Sequence, residues 1–152
     1  MPSCREWLDD VRLHKEDERW MDQHGDDILA AIRSCLAVSH QFEDGVDLLM
    51  EVFSYYALYR VACTPCWISL LIDALLLAQE RQDAEIETQL LAYVADGRMS
   101  QGDHETAYVT YNYVIEQAQA KANHDLELGA YTGLFWLQAV HQRQASFLNN
   151  RL

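Results

Sequence analysis

The residues "CTPC", from Cys63 to Cys66, open the longest apolar run of the chain. Two thiols at this spacing can form a redox pair or half of a metal site. Thioredoxin-like redox chemistry needs a strand before the motif and a βαβ setting. Here the preceding "FSYYALYRVA" continues a helical stripe. Pro65 lies inside the motif and Pro2 at the start, so no proline is placed to face the cysteines. A metal site would need two more ligands. The chain has no second C-x-x-C and no histidine pair at i, i+4, so neither a metal nor a cofactor is expected. Threonine suits an N-cap and proline the first helical position, where its missing N–H costs nothing. Thr64 and Pro65 therefore mark a helix start, and Cys63 and Cys66 read as small hydrophobes packed there. The alternative is a thiol- or metal-dependent switch or enzyme at Cys63 and Cys66, because a first helical turn favours a thiolate.

Little else looks chemical. The histidines His14, His24, His40, His104, His124 and His141 are scattered, several at joints between helices. No nucleophile–histidine–acid set and no glycine-rich phosphate loop is present, so the chain is not expected to be an enzyme. Paired acids such as Asp9-Asp10 and Asp26-Asp27 read as first-turn and surface charge.

The elements that would position any site are helical. "SCRE", Ser3 to Glu6, has capping-box spacing and predicts a helix to about Met21. "HGDD" then reads as a break, followed by Ile28, Leu29, Ile32, Cys35 and Leu36 at helical spacing. "HQFEDG" reads as a turn, and the stripe from Val46 to Val61 as one continuous helix. Further helices are expected from about Pro65 to Arg81, through Ile86 to Val94, from about His104 to Ala118, and through Leu128 to Leu137. The joints are "RQDAE", "RMSQGD" and "ANHD". No stretch alternates at period two, so the fold class is all-α with about seven helices.

At 152 residues, half of them apolar, the chain is long enough to bury a core as one domain. Lys plus Arg is 11 against 24 for Asp plus Glu, giving −13. That charge repels a phosphate backbone and an acidic bilayer surface alike, so nucleic-acid and membrane partners are not expected. A basic or amphipathic protein partner would be attracted. No basic-then-apolar leader is seen, and four cysteines do not read as a secreted disulfide framework. A cytoplasmic protein is expected.

Ala78, Gln79 and Arg81 match Ala118, Gln119 and Lys121 forty residues later. Asp83, Glu85 and Ile86 match Asp125, Glu127 and Leu128 forty-two residues later, as if two residues were inserted at the joint. A helix-pair period near forty is what stacked hairpins need. The best unit is "TQLLAYVADGRMSQGDHETAYVTYNYVIEQA". It supplies Leu91, Val94 and Ala95 on a first helix, Gly102 at the turn, and Ala107, Tyr111 and Val114 on a second. In this ladder the chain resembles the longer-period variety of the tetratricopeptide-repeat family over roughly its last two-thirds. Arg98 stands where that family places an aromatic. The resemblance implies stacked antiparallel hairpins over residues 42–143, after divergent helices in 1–41 and before a tail in 144–152.

It also implies a non-catalytic interaction module, an adaptor or scaffold, whose first helices hold a peptide or helix of a partner. Gln89, Ala92, Asp96, Tyr131 and Gln138 are the expected groove positions. Small acidic members of the family also serve as secretion chaperones, which is the alternative reading. Most tyrosines are expected in the core, with one of Tyr108 and Tyr113 exposed because they share no helical face. The last helix is apolar around most of its circumference. Phe135 or Trp136 is therefore expected to lie uncovered and to mark a homo- or hetero-oligomeric interface.

Overall fold

A computed structural model describes residues 2–59 and 64–149. Among these the chain is all-α, with seven α-helices: α1 (Cys4–His14), α2 (Glu18–Leu36), α3 (Phe42–Phe53), α4 (Thr64–Glu80), α5 (Ala84–Ser100), α6 (His104–Ala120) and α7 (His124–Asn149). A short 3₁₀ turn at Ser39–Gln41 precedes α3, and a π-helical segment at Ser54–Tyr59 follows it. None of these helices is long and apolar enough to cross a membrane. The chain divides into two compact units, Met1–Ile86 and Glu87–Leu152, where a single domain is expected from its length.

In the first unit α1 opens with the expected capping box. Ser3 Oγ accepts from the Glu6 amide at 3.3 Å, and Glu6 accepts from the Ser3 amide at 2.7 Å. These hydrogen bonds hold the Glu6 carboxyl below its usual range, the bond from the Ser3 backbone contributing most. The helix stops at His14, seven residues before the expected end. Asp17 takes over as N-cap of α2, accepting from the Trp20 amide at 3.1 Å.

"HGDD" does not break the chain. Gly25 sits inside α2, where a Cβ would lie 3.1 Å from the Tyr56 ring. Tyr56 is buried and donates to the Met21 carbonyl at 2.6 Å, so its ring occupies the space that the glycine leaves. The π segment that replaces the expected unbroken helix carries Tyr56 and also Tyr55, which donates to Asp22 at 2.9 Å. Leu8, Val11, Met21, Ile28, Ile32, Leu48, Leu49, Val52 and Phe53 form the buried core.

Helices α4 to α6 are each 17 residues long, and α4 to α7 are joined by loops of three residues. The loops share one conformation. Gln82, Gly102 and Ala122 take positive φ of 57°, 81° and 53°. The amides of Asp83, Asp103 and Asn123 donate back to the carbonyls of Ala78, Arg98 and Ala118 at 3.0, 2.9 and 2.9 Å. Their side chains then cap the next helix by accepting from Ile86, Thr106 and Leu126 at 3.1, 3.2 and 3.1 Å. This is a left-handed C-terminal stop followed directly by an N-cap. The repeat is therefore twenty residues per helix and forty per hairpin. No insertion is present: Asn123, not Asp125, is the counterpart of Asp83. An asparagine caps as well as an aspartate, so charge matching misplaced the register by two residues.

The second unit packs α6 on α7 and on α5. Ala95, Ala107, Tyr111, Val114, Ile115, Ala130 and Leu137 form its core. The helix α7 runs on to Asn149, into the segment read as a tail, because no proline or glycine follows Gly133 to stop it.

Candidate functional site

The groove residues expected on α5 are engaged inside the second unit. Ala92 packs against its core. Gln89 is half-buried. Asp96 accepts a short hydrogen bond from the Tyr111 hydroxyl. Burial raises the Asp96 carboxyl above its usual range, with the Tyr111 bond acting against that rise. Burial, reinforced by Asp96, pushes the Tyr111 hydroxyl well up. Tyr111 reaches this position because Gly133 on α7 has no side chain. A Cβ there would lie 2.7 Å from the phenolic oxygen and closer still to the ring. Asp96 and Tyr111 thus fasten α5 to α6 over a bare patch of α7, an arrangement that binds the hairpins together.

The residues expected on α7 lie in the open. Tyr131, Phe135 and Trp136 are 47%, 65% and 56% exposed, and Leu128 beside them is 68% exposed. Gln138 is exposed too. The Phe135 and Trp136 rings meet edge to face, with centroids 6.1 Å apart. The Tyr131 hydroxyl accepts from Gln119 Nε2 at 3.3 Å, and the same amide donates to Glu127 at 2.8 Å. This anchors one edge of the patch. Opposite it, Ala130, Gly133 and Leu137 face the core.

The forty-residue register explains the patch. Thr88, Leu91, Ala92, Ala95 and Asp96 of α5 correspond to Leu128, Tyr131, Thr132, Phe135 and Trp136 of α7. On α5, Leu91, Ala92 and Ala95 belong to the packing of the unit, Thr88 is buried, and Asp96 is bonded to α6. On α7 the same face is uncovered, and its residues are larger and more apolar. Such a patch on a helix usually marks a binding surface.

The cysteines differ from expectation. Cys66 is a free thiol and is exposed, not packed. Trp67, Leu70, Leu71 and Ala74 take the buried face of α4 and turn Cys66 outward with Ser69 and Asp73. Cys63 lies outside the described residues. Although four cysteines do not suggest a disulfide framework, Cys4 and Cys35 form a buried disulfide from the start of α1 to the end of α2. Each sits in its helix's apolar stripe, the one signal that could have paired them. Among the described residues no group of three or more His, Cys, Asp or Glu could hold a metal ion.

Two of the scattered histidines pack on tryptophan. His14 and His24 stack on Trp20 with centroids 4.7 and 4.4 Å away. Tyr108 and Tyr113 are both exposed, where one was expected to be. Compared with known families, curated proteins and solved structures, the chain matches none.

Proposed function

We propose that this chain is a non-catalytic helical-repeat interaction protein that holds an amphipathic helix of a partner protein on the outward face of α7. The observation that carries this reading is the run Leu128, Tyr131, Phe135 and Trp136, exposed on a helix whose inner face is fully used. Aromatic residues of this kind dominate interface energetics because they combine apolar area with a polar handle. The resemblance to tetratricopeptide repeats supports the same role. The net charge of −13 favours a basic partner and speeds its approach.

The test uses a labelled twenty-residue Leu/Lys amphipathic helix as probe, followed by fluorescence anisotropy. Wild type should bind it, more weakly as salt rises and screening shortens the electrostatic reach to about 10 Å at 0.1 M. Phe135→Glu with Trp136→Glu should abolish binding while the far-UV circular dichroism stays unchanged. Equal affinity in wild type and variant would overturn the assignment of this face.

A further inference from the structure

We infer that the outward face of α7 pairs with the α7 of a second copy of this chain, antiparallel and about a two-fold axis. This rests on the reading of that face as a binding surface and names its occupant. The stripe is Asp125, Leu128, Thr132, Phe135, Ala139 and Gln142, spaced three, four, three, four and three. That spacing is the seam of a two-helix coiled coil. Leu128, Thr132, Phe135 and Gln142 are exposed, and Ala139 is half-exposed.

Large and small residues alternate along the seam. Place the axis midway between Thr132 and Phe135. Leu128 then meets the partner's Ala139, and Thr132 meets the partner's Phe135. Each large side chain faces a small one, in both directions, as a two-fold interface requires. Any other antiparallel register that sets Phe135 against the partner's Phe135 loses this fit.

The ends agree in charge. Asp125 lies at the N-terminal end of the stripe and Arg143 at the C-terminal end, eighteen residues on and on the same side of the helix. In the same register Asp125 meets the partner's Arg143, and the pair occurs twice. A parallel arrangement would set like charges together. Between these ends the seam carries no charge, so the chain's overall acidity does not oppose contact here.

Area is sufficient. Leu128, Tyr131, Phe135 and Trp136 together expose roughly 400 Å² of mostly apolar surface. A stable interface buries about 800 Å² per partner, little more than half of it apolar. Gln138, Gln142 and Arg143 supply the polar rim.

Sedimentation equilibrium of wild type, Phe135→Glu, Asp125→Arg, Arg143→Asp and the double charge reversal decides it. Wild type should run as a dimer and Phe135→Glu as a monomer. Each single reversal should raise the dissociation constant roughly three- to tenfold, because a surface pair is lost twice. The double reversal should restore wild-type association. A wild type that stays monomeric overturns the pairing, and so does a dimer indifferent to Phe135→Glu or to the charge series. A monomer that still binds the Leu/Lys helix through Phe135 and Trp136 leaves the proposed function standing. A dimer that never binds it does the reverse.

Discussion

Gly129 and Gly133 lie one turn apart on α7, and replacing each with alanine should move stability in opposite directions. In a helix interior alanine is favoured over glycine by about 1 kcal/mol. At Gly129 a Cβ meets nothing within 4 Å, so Gly129→Ala should gain roughly 0.5–1 kcal/mol. At Gly133 the Cβ would fall 2.7 Å from the Tyr111 oxygen and closer to its ring. Tyr111 is 1% exposed and has no room to retreat. Forcing a methyl into such packing costs about 1–3 kcal/mol. If the ring swings away, the bond to Asp96 goes with it, worth about 1.5–3 kcal/mol when the acceptor is charged. After the helix gain is subtracted, Gly133→Ala should show a net loss of up to about 2 kcal/mol. Urea unfolding followed by circular dichroism reads both variants. The decisive control is Gly133→Ala in a Tyr111→Leu background, where the obstacle is gone and the substitution should become neutral or stabilising. Equal stabilisation at Gly129 and Gly133 in the wild-type background would refute the seating of Tyr111 on α7.

Closing a loop of 31 residues, the Cys4–Cys35 disulfide should stabilise the first unit by about 3–4 kcal/mol, so reductant should lower its melting transition and have no further effect on Cys4→Ala. An identical transition with and without reductant would count against the bond. Asp96 has its folded-state pKa raised, so its contribution to stability is fully present below the usual aspartate range and is lost as pH rises through the folded value. Asp96→Asn keeps an acceptor for Tyr111, and its stability should therefore depend less on pH across that window and exceed wild type above it. At the loops, Ala122→Gly should stabilise by about 0.5–1 kcal/mol and Gly102→Ala should destabilise by about 1 kcal/mol, because both positions hold positive φ. Thermal melts that show no difference in sign would sink the shared loop conformation.

What could be read in advance was what local chemistry decides. The capping box at Ser3 and the helix bounds near Thr64, Glu80 and His104 depend on residues within four positions of one another, and they stand where the pattern put them. The register of the repeat is local too, but it is set by an asparagine cap in one loop and aspartate caps in the others, whereas the disulfide and the seat of Tyr56 depend on neighbours far along the chain. "HGDD" shows why such features mislead. A glycine within a helix costs only about 1 kcal/mol, less than one buried ring returns. Gly25 therefore looks like a break until Tyr56, thirty-one residues on, is known to lie against it. Asp96 misled for the same reason. Its own helix makes it a groove residue, and only Tyr111 and Gly133 together show that it is already bonded.

Tyr56 on Gly25 and Tyr111 on Gly133 are one device used in both units: a buried ring rests on a bare helix, and its hydroxyl is satisfied by the Met21 carbonyl in one and the Asp96 carboxylate in the other. A tyrosine's fate here is decided by the helix opposite, not by its own. Tyr108 and Tyr113 find no such seat and stay exposed. The device has a consequence for α7. Taking Tyr111 requires glycine on the inner face, and that face is then committed, with Ala130 and Leu137, to the hairpin. The bulk of the helix is left on its outer side, in Leu128, Phe135 and Trp136, where nothing in the second unit covers it. The seat that binds the hairpin together and the surface offered outward are thus two sides of the same helix. Gly133→Ala should accordingly weaken folding while leaving Phe135 and Trp136 competent to bind, and Phe135→Glu should do the opposite.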